Sequence, residues 1–371
     1  MEVGKKEMRP VGKDEITYQE FTYIIIGAIF GVGILSLPNQ LAEVSKQDGW
    51  ISAVVGGIYP LYIALTTIYI SSKFPNDDVL SVGKKIFGKF LGSILNFLFF
   101  GHFFVNLIGI TTGAMRLSIV YIVGFLTVFK ISIVVIILAV YGSLLGLKVI
   151  GRLNEFMYYL KVVLMIIPLI ALKDGSLLNV SPIFGSGIKN IVSASVRSVF
   201  AYAGIEVMLL YYPYLNDKAA IKKGALKSTF VMILIYTYIT FLTIYYAGPN
   251  IVVKSFFSVT LLNESINLPF INSFRFFFMY TWIMIVFKTI IDNYYSCCYI
   301  LSNFAKKLDI RKICIFMAPI LVIVVNIIHD EGTRREFLSK TINYTLIYNI
   351  AYLTLICLII FFKKGEKNEN L

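Results

Sequence analysis

Ten mostly apolar stretches, each close to the length of a membrane-crossing helix, fill most of this 371-residue sequence. They lie at 17–41, 50–72, 93–122, 131–150, 153–173, 196–215, 228–248, 275–302, 313–329 and 340–362. A spanning helix takes about 20 such residues, because the hydrocarbon core is about 30 Å thick and each residue rises about 1.5 Å. Backbone N–H and C=O groups meet no water there, so only helices or closed barrels cross, and these lengths are those of helices. The predicted fold class is an all-α integral membrane protein. A single transmembrane domain over 17–362 lies between polar tails at 1–16 and 363–371. Hydrophobic residues make up 58% of the chain and charged residues 15%, against about 25% charged in soluble domains. A soluble enzyme, a disordered chain, a coiled coil and a collagen are all excluded.

The net charge of +13 would suggest nucleic acid in a soluble protein. Here it reads as topology. With ten spans both termini share a side, and roughly twice as many Lys and Arg fall on that side as on the other. Basic residues hold cytoplasmic loops in place, so both termini are predicted to be cytoplasmic. Only Arg116, Lys161 and Lys288 remain inside spans. No nucleic-acid partner is needed. The four cysteines (Cys297, Cys298, Cys314, Cys357) and two histidines (His102, His329) show no metal-ligand spacing, so neither a zinc site, a disulfide framework nor any cofactor is expected. The apolar run after the polar N-terminus is long and lacks a small-residue cleavage site, which predicts a retained first span.

Thr17 and Glu20 form a capping-box pattern at the start of that span. In 81–92 (SVGKKIFGKFLG), Ile86, Phe87, Phe90 and Leu91 fall on one helical face and Lys84, Lys85 and Lys89 on another, predicting a short interfacial helix. The loop 249–273 includes the apolar stretch Phe256–Leu262. It reads either as a lid over an outer vestibule or as a surface loop hugging the membrane.

The main functional signal is a pair of interrupted helices. The first span contains Gly27, Gly31, Val32, Gly33, Ile34 and, further on, Pro38. Gly costs about 1 kcal/mol and Pro about 3 kcal/mol inside a helix. Non-helical backbone at this depth survives only where protein or a water-filled cavity satisfies it. Close packing through GxxxG-spaced Gly27 and Gly31 is the competing explanation. The sixth span repeats the pattern, with Phe200, Ala201, Tyr202, Ala203, Gly204, an acidic Glu206 and Pro213. Interrupted segments at corresponding places in two halves point to a transporter-type binding site. Spans one and six each open a set of five, at 17–173 and 196–362. Five is odd, so the second set inserts upside down, an inverted repeat.

GVGILSLP (Gly31–Pro38) and FAYAGIEVM (Phe200–Met208) resemble the amino acid–polyamine–organocation transporter superfamily, with its LeuT-like five-plus-five inverted repeat. Helix count, size, the polar N-terminus leading into ITYQEF and the Leu-Pro after the glycine pair look most like the membrane B-subunit of endospore germinant receptors. The resemblance spans essentially the whole chain. It implies that Gly31, Val32, Gly33 and Ile34 present backbone amides to the carboxylate of an amino-acid-like nutrient. Phe200, Ala201, Tyr202, Ala203 and Gly204 would present carbonyls to its ammonium. Half-helix N-termini carry positive partial charge and C-termini negative, so the pairing is physically sound. The resemblance further implies that Asn106, Thr111, Tyr280 and Thr289, on the third and eighth spans, are second-tier pocket residues. It also implies an A-subunit and a C-subunit lipoprotein as partners in the spore inner membrane.

Ionisable groups inside a membrane are functional hypotheses by default, because burial is costly. Lys161 suits a role known in some proton-coupled members, an ammonium that replaces sodium and braces the unwound first span; snorkelling is the alternative. Glu206 either caps exposed amides below the break or accepts a proton. Lys288 and Asp292 are i, i+4 and share a face, as an internal ion pair or a polar gate. His102 and Asn106 repeat that spacing and read as interhelical hydrogen bonds. Arg116 reads as snorkelling. No GxSxG, HExxH, Walker A or clustered His/Cys/Asp pattern occurs, so no enzyme is expected. Two functions remain: a receptor subunit that binds a nutrient and triggers germination, with ion or water conduction as one output, and a proton-coupled amino-acid or polyamine carrier.

Overall fold

A computed structural model describes residues 15–264, 274–304 and 308–368, with side chains at 264 and 363–368 excepted. Most of both tails and loop residues 265–273 lie outside this description. Among the described residues there is no strand, only one parallel bridge, Ile16 with Leu215.

The first predicted span is two helices, α1 (Tyr18–Ile29) and α2 (Gly33–Ser45). The chain returns through α3 (Gly49–Gly56) and α4 (Ile58–Lys73), then α5 (Val79–Phe87) leads into α6 (Lys89–Tyr121). Next come α7 (Val128–Leu144) and α8 (Leu147–Ile166), the latter extended by 3-10 turns to Asp174. The predicted sixth span comprises α9 (Ile188–Arg197), α10 (Val199–Tyr202) and α11 (Val207–Tyr211). After them run α12 (Ile221–Ala247), two short helices, α13 (Pro249–Val252) and α14 (Val259–Glu264), then α15 (Phe274–Ser302), α16 (Ile310–Ile327) and α17 (Glu331–Asn368). Seven segments are long and apolar enough to cross a membrane, or eight if α9 and the helix after it, bent by 45°, count as one; α7 is a shorter apolar helix. Each of the ten predicted ranges falls on one of these helices or groups. The protein is an integral membrane protein. The end of the bundle with the 45–49 turn and the 175–187 loop is called outer here, following the charge pattern.

Helix starts and stops follow local chemistry. Thr17 and Glu20 form the predicted capping box: Thr17 N–H donates to Glu20 Oε2 at 2.7 Å and Glu20 N–H to Thr17 Oγ1 at 3.2 Å. Glu20 also pairs with Lys148 at 2.7 Å, which ties the start of α1 to α8. The boundary predicted at 150–153 moves six residues earlier. Gly146, at φ 83°, turns the chain where a side chain would be strained. The predicted interfacial helix is also corrected. Gly88, at φ 82°, ends α5 after Phe87. Ile86 and Phe87 pack on the core, whereas Phe90 and Leu91 lie on the exposed face of α6.

The core forms where α6 packs between α15 and α17, and where α1 packs against α8, α12 and α15. At the outer end, the buried Asp48 fixes the loop before α9. Its carboxylate accepts from Phe184 N–H (2.8 Å), Ser186 N–H (2.8 Å) and Ser186 Oγ–H (2.7 Å). Asn39 Nδ2–H donates to Val253 O at 2.6 Å and its N–H to Ser258 Oγ at 3.2 Å, so the described part of the 249–273 loop lies over the outer half of the first span. Hydrogen bonds to a charged group contribute about 1.5–3 kcal/mol each. Asp48→Ala is expected to lower the thermal midpoint of purified protein in detergent by several degrees, whereas Asp48→Asn, which keeps part of the acceptor set, lowers it less.

Candidate functional site

Phe30, Gly31 and Val32 separate α1 from α2 in the middle of the bundle, and all three are buried. A break here exposes two sets of backbone groups, the last carbonyls of α1 and the first amides of α2. The carbonyls have donors. Thr289 Oγ1 lies 3.0 Å from Gly27 O and 2.8 Å from Phe30 O, and Asn293 Nδ2 lies 3.3 Å from Ala28 O. Tyr236 Oη on α12 lies 3.1 Å from Ile29 O and 2.7 Å from Ala201 O, so one hydroxyl joins both broken segments. Each hydroxyl carries a single hydrogen, so lone pairs on these carbonyls stay open to a further donor.

The amides of α2 are different. Its N-cap is Val32, no side chain caps the helix, and Gly33, Ile34 and Leu35 are buried. A buried, uncapped helix N-terminus offers N–H groups and positive partial charge to an anion.

In the sixth span, Ala203 leaves helical geometry (φ −59°, ψ 141°) and Gly204 takes φ 106°. Gly204 N–H, in the break itself, donates to Glu206 Oε2 at 2.9 Å, while Glu206 makes no side-chain cap to the α11 amides that follow it. Glu206 Oε1 accepts from the Tyr59 hydroxyl on α4 and lies 3.1 Å from His102 Nε2 on α6. Asn349 Nδ2 on α17 approaches it at 3.5 Å, and His102 Nδ1 lies 3.2 Å from Thr345 Oγ1. One carboxylate thus links the break to three other helices.

The two breaks meet. A Cβ on Gly33 would stand 2.9 Å from Ala201 Cα, and one on Gly204 would stand 2.5 Å from Ala28 O. Gly31 is not needed for space, because a Cβ there would find its nearest neighbour, Thr289 Cγ2, at 3.5 Å. A Cβ on Gly27 would overlap the ends of Asn154 and Lys288.

Those two side chains belong to a second buried cluster. Lys288 Nζ donates to Asp292 Oδ2 and to Asn154 Oδ1, and Asn154 Nδ2 donates to Asp292 Oδ1 at 2.9 Å. Lys161 stands near it on α8 and does not snorkel. It is 2% exposed, its Nζ is 5.0 Å from the centre of the Phe30 ring, and it has no hydrogen-bond partner among the described residues.

Asn106 and Thr111 are buried on α6. Asn106 Nδ2 donates to Asn293 Oδ1 at 3.0 Å, while Asn106 Oδ1 and Thr111 Oγ1 have no partner among the described residues. Tyr280 is a correction. It lies nine residues before Thr289, which at about 100° per residue puts it on the opposite face of α15. It is 54% exposed. Phe200 is only half-buried and lines an outer cleft, while Ala201, Tyr202, Ala203 and Gly204 are buried at the break. Arg116 is exposed, in keeping with snorkelling. Asn154, Asn293, Tyr236 and Tyr59 were not predicted. Polar residues within apolar runs flag the two asparagines, but tyrosines are too frequent in this chain to stand out.

A family model of spore germination proteins matches residues 15–334. The chain belongs to the spore germination protein family. Spore germination protein YndE of Bacillus subtilis (strain 168) is 24% identical over 370 residues, covering 95% of this chain and 98% of that protein. Spore germination protein GerQB of Bacillus cereus is 22% identical over 343 residues, 91% and 93% of the two chains. The fold is shared with solved transporters of LeuT-like architecture. MhsT in complex with L-phenylalanine superposes with a TM-score of 0.64 at 14% identity, covering 94% of this chain and 89% of the other. A mutant of the Eremococcus coleocola manganese transporter gives 0.60 at 12%, covering 92% and 78%. This germination protein is permease-like in fold.

Overpacking costs about 1–3 kcal/mol, and a side chain at positive φ adds strain. Gly33→Ala and Gly204→Ala are therefore expected to lower the thermal midpoint of the purified germination protein clearly, and Gly31→Ala to leave it near wild type. A uniform loss across all three would mean that the breaks do not meet in this way.

Proposed function

We propose that this germination protein is the nutrient-binding membrane subunit of a germinant receptor, taking a small amino-acid-like germinant between the two broken helices. The observation that carries the reading is the buried N-terminus of α2, which has no side-chain cap. The carboxylate would sit on the amides of Val32, Gly33 and Ile34, and on that of Gly31 once it releases Ile29 O, to which it donates at 2.9 Å here. The ammonium would face the carbonyl ends of α1 and of the Phe200–Gly204 segment. Phe30, tilted by 42° against Trp282 at 5.1 Å between ring centres, would give the pocket an apolar wall. Thr289, Asn106 and Thr111 supply side-chain polarity.

Lys161 would brace the break from α8 and answer to the ligand's charge. The Lys288–Asp292–Asn154 cluster and Glu206 would couple ligand binding to movement of the bundle, because each joins a break to helices outside it. The output would pass to an A-subunit and a C-subunit lipoprotein in the spore inner membrane, with both termini cytoplasmic, and ion or water conduction is one form it would take. No chemical transformation of the nutrient is part of this reading. The solved neighbour that holds L-phenylalanine supports an amino-acid ligand. It also favours the second reading, a proton-coupled amino-acid or polyamine carrier.

Ligand binding to the folded state stabilises it by about 2.7 kcal/mol at a hundred times Kd. Single amino acids and their methyl esters are tested as stabilisers of purified protein in detergent. At least one amino acid should raise the thermal midpoint by several degrees, its ester should not, and Lys161→Ala should abolish the shift without loss of folded protein. Equal shifts with acid and ester would remove the carboxylate from the account. Concentrative uptake of the same amino acid into vesicles holding this protein alone would favour the carrier.

A further inference from the structure

A cleft of about 380 Å³ opens at the outer end of the bundle, between the end of α2, the junction of α9 with α10, and the first turns of α17. That volume lies at the low end for small-molecule sites. Three arginines, Arg197, Arg334 and Arg335, line it, and among the described residues no carboxylate does. Its inner end is apolar. Phe200 and Leu338 both lie against the notch at Gly109 of α6, where a Cβ would stand 3.1 Å from the Phe200 ring and 2.8 Å from Leu338. The cleft therefore points toward α6 inside the helix bundle, with Phe200, the residue before Ala201, at that end.

The three arginines are not equally occupied. Arg334 is buried and committed. Its Nε and Nη2 donate to Glu331 at 2.9 and 2.7 Å, and its Nη1 reaches Gly109 O at 3.4 Å. Arg335 uses Nε on Glu331 (2.7 Å) and Nη2 on Phe256 O (3.2 Å). Arg197 uses Nη1 on Glu43 at 2.5 Å, and both side chains of that pair are largely exposed, at 42% and 55%. Exposed pairs contribute little and exchange readily. A guanidinium has five N–H donors, so Arg197 and Arg335 keep donors for an incoming anion. Low-dielectric walls focus such positive charge and raise the local concentration of anions. Opposite polarity is also present. Gln40 Nε2 donates to Ser36 Oγ at 3.2 Å and Asn343 Nδ2 to Ser339 O at 3.5 Å, which leaves both amide oxygens as acceptors.

We infer that this cleft is a separate binding site for a free, small α-amino acid, which precedes the deep site on the way in. The carboxylate sits at Arg197 and Arg335, and the ammonium faces Gln40 and Asn343. The site selects for a carboxylate before the apolar layer of Phe200 and Leu338 is passed. Binding in the cleft rests on the chemistry of the cleft alone, whereas its place ahead of the deep site rests on the proposed function. A lipid headgroup fits less well, since the inner end of the cleft lies against α6 inside the bundle.

The test is thiol labelling of Ser339→Cys, an exposed cleft position, in a Cys357→Ser background; the other three cysteines are buried. The probes are two methanethiosulfonates, one ending in a sulfonate and one in a trimethylammonium group. Relative to a free thiol, the anionic reagent should be favoured about tenfold, the equivalent of about 1.4 kcal/mol. Arg197→Gln should remove most of that preference and Arg197→Lys should keep it. Millimolar glycine or acetate should slow the anionic reagent, and methylamine should not. Protection should persist in Lys161→Ala, which disables the deep site and reports separately by thermal shift. A preference equal to that of the free thiol would overturn the inference. So would protection by glycerol phosphate alone, which would assign the cleft to lipid, or protection lost with Lys161.

Discussion

Everything in this structure that bears on function follows from one constraint: a helix broken in the middle of a membrane must still find partners for its backbone. The carbonyl end of α1 finds Thr289, Asn293 and Tyr236. Among the described residues the amide end of α2 has no side-chain partner, and Leu35 N–H turns to the backbone, to Val32 O at 3.1 Å. An unsatisfied buried polar group costs about 1–3 kcal/mol, so the asymmetry is informative. One side of the break is held by side chains, and the other, in the proposed function, is where the nutrient's carboxylate would bind.

The surrounding polar groups depend on that break. Asn154, Lys288 and Asp292 fill the notch at Gly27 and form a closed cluster. Buried ion pairs are weak evidence for stability, because desolvation offsets their attraction. Their placement against α1 makes more sense as a way of registering the conformation of the first span. Glu206 does the equivalent for the second break, with its carboxylate shared among the Gly204 amide, Tyr59 and His102. Tyr236 bonds to both breaks and so ties one to the other.

Much of this was legible in the sequence, and the exceptions have physical causes. Mid-span Gly marks both breaks, at Gly204 because the backbone there has positive φ and at Gly33 because another backbone stands opposite, while Pro38 lies inside α2. The role of each glycine was not legible, since it depends on what stands opposite. Gly33 and Gly204 face backbone, while Gly31 faces a methyl group with room to spare. Tyr280 was misplaced because a span's inward face cannot be fixed from composition when apolar residues surround the helix. The helical period relative to Thr289 would have excluded it. The helix end at Gly146 is hidden because an apolar run continues through it, and the one at Gly88 because an amphipathic pattern does, while the chain turns at positive φ at both. The partners of the breaks, Asn293 and Tyr236, come from distant helices, and nothing local marks them.

The central claim is that the first turn of α2 is an unfilled acceptor of ligand charge. Hydrogen exchange of the amides of Val32 to Ile34, followed by mass spectrometry on purified protein, tests it most directly. Without ligand these amides should exchange faster than those in the middle of α1. In an equimolar mixture of the common amino acids their exchange should slow by at least tenfold, with little change in α7 or α16. Full protection without any amino acid, or no response to the mixture in a protein whose thermal midpoint it raises, would contradict the account.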